Sequence, residues 1–142
     1  MDTFDFYRKW LVAVGVILAA FGVAMALTSG TPLFRPLQGL VDPAFWPHGS
    51  ADPGTVEFRA WVYGVWGATI AGWGVAIVFV AAQAFARREP WAWHAIALGT
   101  AIWFVLDTGT SLAHGVAFNV ALNVVIAVLV AVPLAGTRRL FR

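Results

Sequence analysis

The sequence contains no cysteine, which excludes disulfide bonds, thiolate metal ligands and thiol redox chemistry. Charged residues are also scarce, at 11% of the 142 residues, whereas a soluble domain carries about 25%. Hydrophobic residues make up 61% of the chain, and its mean hydropathy is +0.79. Because so few charges cannot cover a water-exposed surface, much of the chain must be covered by lipid or by other protein.

Four long stretches lack Asp, Glu, Lys and Arg altogether. They span residues 10–34, 60–86, 90–106 and 108–137, and they are 17 to 30 residues long. About 20 apolar residues cross a bilayer as a helix, and a helix satisfies its own backbone polar groups in lipid. The alternating segments of ~10 residues typical of a β-barrel are absent from the sequence. We therefore predict an all-α fold, an integral membrane four-helix transmembrane bundle formed by one domain, 1–142.

These stretches and the turn formers between them give the element boundaries. Helices are predicted at about 7–27, 58–85, 91–107 and 111–132, with a long outer loop at 28–57. Thr108-Gly109-Thr110 predicts the last turn, Ser111 is assigned as the following N-cap, and Pro133 is expected to end the last helix. The loop contains many apolar residues, so it should pack on the membrane surface or fold over the helix ends as a lid.

The first helix has one alternative interpretation, a secretory signal peptide, because Arg8 and Lys9 precede an apolar run. That run is longer than the apolar core of a typical signal peptide, and Asp2 and Asp5 are unusual before one. We therefore expect a retained helix.

Basic residues are distributed unequally between the two ends of the predicted helices. Seven belong to one side: Arg8, Lys9, Arg87, Arg88, Arg138, Arg139 and Arg142. The other side has Arg35 and Arg59. Lys and Arg are retained in the cytoplasm, so this asymmetry predicts a multi-pass protein of the cell inner (cytoplasmic) membrane with both termini cytoplasmic. The pI of about 9.7 does not indicate nucleic-acid binding, because the basic residues form no single patch.

Small residues recur at every third or fourth position in three of the predicted helices, a pattern typical of helix contacts in lipid. In helix one they are Gly15, Ala19, Gly22 and Ala26. In helix two they are Gly64, Ala68, Gly72 and Ala76. In helix four the stripe includes polar residues: Ser111, Gly115, Asn119, Asn123 and Ala127. We therefore predict that helices two and four lie centrally in the bundle.

Polar side chains within the apolar stretches are the candidate functional residues, because burying them in a bilayer is costly. Asn119 and Asn123 share one face of helix four, and Asp107 lies on one face of helix three with Thr100 and Trp103. The hairpin between these helices should bring the two faces together and place Asn123 near Thr100. The predicted ligand-binding residues are Thr100, Trp103, Asp107, His114, Asn119 and Asn123.

In such a pocket, Asp107 would attract a cation or accept a hydrogen-bond donor, and the two asparagine amides would orient the bound group. The alternative is purely structural. Asparagine side chains commonly form hydrogen bonds between helices in lipid, and Asp107 would then cap the turn or reach the outer headgroups.

Catalytic and metal-binding patterns are scarce. The sequence has no G-x-S-x-G elbow, P-loop or dinucleotide fingerprint, and Asp107 with His114 is the only candidate acid–base pair. His94 and His114 belong to opposite helix ends, roughly 20 Å or more apart, too far for one haem or metal. His48, Asp52, Asp107 and His114 share the outer side, but their spacing is not that of a metal site. We predict no catalytic residue, no metal and no cofactor.

Several stretches resemble small four-helix bacterial membrane proteins. They are YGVWGAT (63–69), AGWG (71–74), RREPWAW (87–93), WFVLDT (103–108) and PL (133–134). The resemblance covers the chain from about Phe58 onward and implies no particular activity.

Together these patterns predict a small polytopic protein of the lipid bilayer. It would bind or conduct a small solute or amphipathic ligand through an outer-facing polar pocket between helices three and four. The alternative is a non-catalytic accessory or structural subunit, packed against itself as a homo-oligomer or against a larger membrane complex. A more remote alternative is a membrane-embedded enzyme that uses Asp107 and His114.

Overall fold

The computed structural model describes residues 2–47 and 52–141, and the regular elements in those two stretches are all helical. The α-helices are α1 (Thr3–Thr28), α2 (Arg35–Val41), α3 (Pro53–Val80), α4 (Pro90–Ala113) and α5 (Ala117–Thr137). A π-helical turn, Ala81–Phe85, extends α3, and 3-10 turns lie at Pro32–Phe34, Asp42–Ala44 and Arg138–Leu140. Helices α1, α3, α4 and α5 are long and apolar enough to cross a membrane, which confirms an all-α fold with four such helices.

Both α1 and α3 begin several residues before their predicted starts, because each has an aspartate cap outside the apolar run. The Asp2 carboxylate accepts a hydrogen bond from the backbone N–H of Phe4 at 3.3 Å. The Asp52 carboxylate accepts one from the backbone N–H of Thr55 at 3.1 Å. Such caps pair amide groups that have no partner within the helix, so the helix extends to them.

The turn between α4 and α5 lies at residues 114–116, so the turn predicted at 108–110 is wrong. Thr110 and Ser111 lie within α4, where their hydroxyls donate to the carbonyl oxygens four residues earlier, both at 2.8 Å. Ser111 is therefore not an N-cap. The helix ends instead before Gly115, whose φ of +70° is a conformation that glycine adopts readily.

Helix α5 continues through Pro133 to Thr137, so its predicted end near residue 132 is also wrong. The Thr137 hydroxyl donates to the carbonyl oxygen of Pro133 at 2.7 Å. From α4, the indole N–H of Trp93 donates to the carbonyl oxygen of Leu134 at 2.9 Å. These side-chain donors thus bond to backbone oxygens near the C-terminal end of α5, where the last carbonyl groups of a helix lack partners within it.

The four long helices alternate in direction, so the bundle has two distinct ends. The terminal end holds both chain ends and the turn at 86–89. There the rings of Phe4 and Phe141 lie 5.7 and 4.4 Å from that of Phe85, and the Arg88 guanidinium lies 4.9 Å from the Phe4 ring centre. The loop end holds residues 29–47 and the turn at 114–116.

Helices α1 and α3 pack closely along their length through glycines. A Cβ added to Gly67 would lie 2.6 Å from the backbone nitrogen of Ala26, and Gly22 and Gly74 leave even less space. The predicted stripe of helix one, with Gly15 and Gly22, therefore does lie at a helix contact. On α3 the contact uses Gly67 and Gly74, seven residues apart, a spacing that keeps one face toward a neighbouring helix.

The stripe predicted for helix two is wrong, because Ala68, Gly72 and Ala76 are exposed on the outside of the bundle. The prediction of central helices two and four is wrong for helix two, because α3 packs mainly against α1. Helix four (α5) does pack against two long helices, α1 and α4. Helices α1 and α5 therefore occupy the centre. A four-residue repeat drifts around a helix with 3.6 residues per turn, so it does not follow one neighbour over several turns.

The segment between α1 and α3 folds onto the loop end of the bundle. Phe34 is buried with Met25, and its ring centre lies 5.1 Å from that of Tyr63. An ion pair of 2.6 Å joins Asp42 to Arg59 of α3. Side chains from this segment therefore cover the helices at the loop end.

Candidate functional site

The carboxylate of Asp107 on α4 is held by donors from α4 and α5. Its Oδ1 accepts hydrogen bonds from Asn119 Nδ2 at 2.5 Å, from Asn123 Nδ2 at 2.9 Å and from Ser111 Oγ at 3.3 Å. No side chain in residues 2–47 or 52–141 donates to Oδ2 at hydrogen-bond distance. An ionised carboxylate accepts at both oxygens, so Oδ2 retains its capacity to accept a donor from a ligand.

Each asparagine amide also contacts a hydroxyl of α4. Asn119 Nδ2 donates to Ser111 Oγ at 2.7 Å, and Asn123 Nδ2 donates to Thr108 Oγ1 at 3.2 Å. Asn123 is 2% exposed, whereas Asp107 and Asn119 are partly exposed. The network fixes the α4–α5 hairpin and holds the carboxylate in one orientation.

A cavity of about 470 Å³ lies next to this carboxylate, within the range of 300–1,000 Å³ typical of small-molecule sites. We call it the main cavity. It is lined by α1, α3, α4, α5 and the segment between α1 and α3, which contributes Leu37, Val41 and Phe45. Its aromatic wall residues include Phe21, Tyr63, Trp66, Trp73, Trp103 and Phe118. The site is therefore an apolar, aromatic cavity with one carboxylate in its wall.

A second hollow, here called the side hollow, extends from the same site to the outer surface of the bundle. It shares Trp66, Asp107, Thr110, Ser111 and Asn119 with the main cavity and is also lined by Leu106. Leu106 is 66% exposed and Trp66 is 36% exposed. The carboxylate can thus be approached from the side of the bundle, between α3 and α4.

The charges around the cavity are unbalanced. Neither Lys nor Arg is present among the described residues that line it. Arg59 belongs to the loop end of α3. It pairs with Asp42 at 2.6 Å, and its guanidinium lies 5.5 Å from the ring centre of Trp46. Asp107 therefore has hydrogen-bond donors but no cationic side chain as a partner in the part of the chain that the structure describes.

Five of the six residues predicted to bind a ligand line the main cavity: Trp103, Asp107, His114, Asn119 and Asn123. Thr100 does not. It lines a separate groove with Phe104 and Val130, and its hydroxyl is buried without a hydrogen-bond partner among the described residues. The displaced turn explains this, because Asn123 meets Asp107 rather than Thr100, a shift of about two helical turns along α4.

His114 lies at the rim of the site rather than beside the carboxylate. Its Nδ1 is 2.9 Å from the carbonyl oxygen of Thr110, and its ring centre is 6.1 Å from that of Phe45. No hydrogen bond joins His114 to Asp107 in the described stretches. The acid–base pair considered for an enzyme is therefore not assembled in this conformation.

The candidate metal ligands are also separated. No three acidic or histidine side chains come together within residues 2–47 and 52–141. Asp52 caps α3 by bonding to Thr55, and His94 lies in the first turns of α4, toward the terminal end, with its Nδ1 2.8 Å from the carbonyl oxygen of Pro90. His48 and Arg142 lie outside the described residues.

Sequence reasoning missed several parts of the site. It assigned Ser111 to a cap and did not include Thr108, although Asp107 and Ser111 have the same four-residue spacing as Asn119 and Asn123. That matching spacing was the available signal that two helix faces interlock. The α3 aromatic residues were also missed, because apolar periodicity does not distinguish a face toward lipid from a face toward a cavity.

Comparison of the chain with protein-family models, with curated proteins and with solved structures found no match. The function must therefore be inferred from the arrangement of its own side chains.

Proposed function

We propose that the four long helices cross the cell inner membrane, with the terminal end in the cytoplasm and the loop end outside. The support is the distribution of basic residues between the two ends. Six described residues belong to the terminal end: Arg8, Lys9, Arg87, Arg88, Arg138 and Arg139. The loop end has Arg35 and Arg59. Basic residues flanking membrane helices favour the cytoplasmic side, so this asymmetry supports the proposed orientation.

In this orientation Asp107 lies within the outer half of the bilayer. Helix α4 has 24 residues and is about 36 Å long, and Asp107 lies six residues, or about 9 Å, before its last residue. A bilayer core is about 30 Å thick. An ionisable residue at that depth is costly and commonly marks a functional site.

We propose that the main cavity binds a small amphipathic molecule. The observation that carries this proposal is the carboxylate of Asp107, held by Asn119 and Asn123 in the wall of an apolar cavity. The apolar body of the ligand would lie against the aromatic wall, and its polar group would contact Asp107 Oδ2. The side hollow offers a path from the bilayer, where amphipathic molecules concentrate.

A purely structural role for the polar network explains less. Two asparagines alone could form hydrogen bonds across the hairpin. The network also contains Asp107, and no cationic side chain among the described residues pairs with it. Each side-chain hydrogen bond that residues 2–47 and 52–141 donate to its carboxylate goes to the same oxygen. The side chain also borders both the main cavity and the side hollow.

The proposal can be tested with 10-bromodecanol, whose bromine quenches nearby tryptophan fluorescence. The protein would be placed in nanodiscs of zwitterionic phospholipid, with Trp66, Trp73 and Trp103 as cavity reporters. A bound probe quenches saturably, whereas partition into lipid adds a linear component. We expect saturable quenching in the native protein, and linear quenching alone would contradict the proposal.

A matched pair of variants on α5 localises the saturable component. Ile126→Phe adds a ring where α5 lines the main cavity, and it should abolish saturable quenching. Val125→Phe makes a similar change on the neighbouring residue, which is 55% exposed on the outside of the bundle, and should preserve it. Equal quenching in the two variants would show that the probe binds elsewhere.

A second candidate role is that of a structural subunit that packs against itself, for which the exposed small residues Ala68, Gly72 and Ala76 on α3 provide the support. Small residues allow close approach of another membrane helix, and here that helix would be α3 of a second copy. Because the chain has no cysteine, Gly72→Cys gives a specific cross-linking test in membranes. Disulfide dimers at Gly72 but not with the control Leu98→Cys on α4 would support it, and equal or absent cross-linking would contradict it.

A further inference from the structure

We propose that the ligand of the main cavity is an organic cation with an apolar body, such as a hydrophobic amine or a quaternary ammonium compound. This inference rests on the proposed function and adds the chemical class of the ligand. Three features of the site support it: its charge, its aromatic wall and the engagement of the nearby arginine.

The charge of the site selects for a cation. Asp107 is the one carboxylate among the described residues that line the main cavity, and neither Lys nor Arg lines it. An ionised carboxylate in apolar surroundings is unfavourable unless it is paired, and attraction between charges is stronger there than in water. The hydrogen bonds from Asn119 and Asn123 satisfy one oxygen but leave the net charge uncompensated. A ligand cation would compensate it.

The aromatic wall favours the same class of ligand. The ring centres of Trp73 and Trp103 lie 5.1 Å apart, and those of Tyr63 and Trp66 lie 6.1 Å apart. The faces of aromatic rings are electronegative, and they attract ammonium groups within about 6 Å. Trp103 lies one helical turn before Asp107 on α4, so a single cationic group can contact both. These four rings and the Asp107 carboxylate together suit a cationic group that carries apolar substituents.

Of the two basic side chains at the loop end, Arg35 is exposed and does not line the main cavity, and Arg59 is already engaged. Arg59 pairs with Asp42, and its guanidinium lies over Trp46. Pairing of Arg59 with Asp42 keeps it out of the cavity, so it does not neutralise Asp107. The site would therefore reject an anionic amphiphile and accept a neutral one weakly.

Three probes with one tail separate the two proposals: 10-bromodecyltrimethylammonium, 10-bromodecanol and 10-bromodecanoate. Each would be titrated into native protein in zwitterionic nanodiscs, and saturable tryptophan quenching would be corrected for partition measured in empty nanodiscs. We expect the cation to saturate at a concentration at least tenfold below the alcohol, and the carboxylate not to saturate. If cation and alcohol saturate equally, the cation inference fails while the proposed function stands. If no probe saturates, both fail.

Variants at Asp107 test the origin of the preference. Asp107→Asn removes the charge with little change in size, and it should reduce the preference for the cation over the alcohol at least tenfold. Asp107→Glu keeps the charge and should preserve the preference. A cation preference that survives in folded Asp107→Asn would overturn the inference. If Asp107→Asn does not fold, the ranking of the three probes on native protein decides it alone.

Discussion

Asn123 donates its side-chain amide to Asp107 across the α4–α5 interface, with an N···O distance of 2.9 Å and almost no solvent exposure of the asparagine. This bond joins α5 to the α4 carboxylate on which the proposed function depends. It has consequences both for stability and for the position of the charge.

Replacing Asn123 with leucine should destabilise the bundle by about 1 kcal/mol, because hydrogen bonds between membrane helices contribute about 0.6 to 2 kcal/mol. The free energy of unfolding would be measured in mixed micelles by SDS titration. Val124→Leu changes the adjacent residue, which is 44% exposed, and should have little effect. Equal losses in the two variants would contradict the assigned role of Asn123.

The close packing of α1 on α3 makes a sharp prediction about two glycines of α3. Gly67→Ala places a methyl group 2.6 Å from the backbone nitrogen of Ala26, so the helices must separate at a cost of about 1–3 kcal/mol. Gly72→Ala meets nothing within 4 Å and should leave stability unchanged or raise it by less than ~1 kcal/mol. A neutral Gly67→Ala variant in the same unfolding assay would contradict this helix contact.

Glu89 in the turn before α4 gives a prediction about pH. A hydrogen bond from Arg87 at 2.6 Å, and then one from the Trp91 indole at 2.5 Å, hold the pKa of Glu89 below its usual value. A lowered pKa in the folded state means that the stabilisation is present above the unfolded pKa. It is lost as the pH falls through the folded pKa.

The pKa of Glu89 can be followed by NMR titration of its side-chain carboxyl carbon. Arg87→Ala should raise this pKa toward the usual value, because the hydrogen bond that lowers it most is removed. Arg88→Ala is the matched control, since Arg88 contacts the Phe4 ring instead. An unchanged pKa in Arg87→Ala would rule out the proposed hydrogen bond.

The orientation in the membrane can be tested with single cysteines, because the natural chain has none. Glu57→Cys at the loop end should react with a membrane-impermeant maleimide in intact cells. Arg139→Cys at the terminal end should react only after the membrane is made permeable. Labelling of both positions in intact cells would contradict the proposed orientation with both termini in the cytoplasm.

The fold class was predictable because ionised groups are absent from stretches long enough to cross a bilayer, and backbone polar groups then require helix. The position of the last turn was not predictable. Thr110 and Ser111 are typical turn residues, yet their hydroxyls can bond to carbonyl oxygens of their own helix. Gly115 has the positive φ with which α4 ends, but sequence alone does not reveal which glycine adopts a positive φ.

The candidate site was predictable in its polar half. Asp107, Asn119 and Asn123 stand out because polar groups are rare in apolar helices, and the structure brings these three together. The aromatic side of the cavity was not predictable, because it depends on how α3 is rotated relative to α4. That rotation is visible only in the structure, where the rings of Trp73 and Trp103 are in contact. Thr100 was misassigned because one error in the turn moved the register of the whole hairpin.

The most direct test of the account is a structure of the protein in a lipid bilayer with 10-bromodecyltrimethylammonium, in which the bromine is located by anomalous scattering from lipid-grown crystals. The account predicts one bromine inside the main cavity, with the trimethylammonium group within ~6 Å of the Trp103 ring centre and beside Asp107 Oδ2. Bromine found only on the outside of the bundle, with the main cavity filled by native side chains, would contradict it.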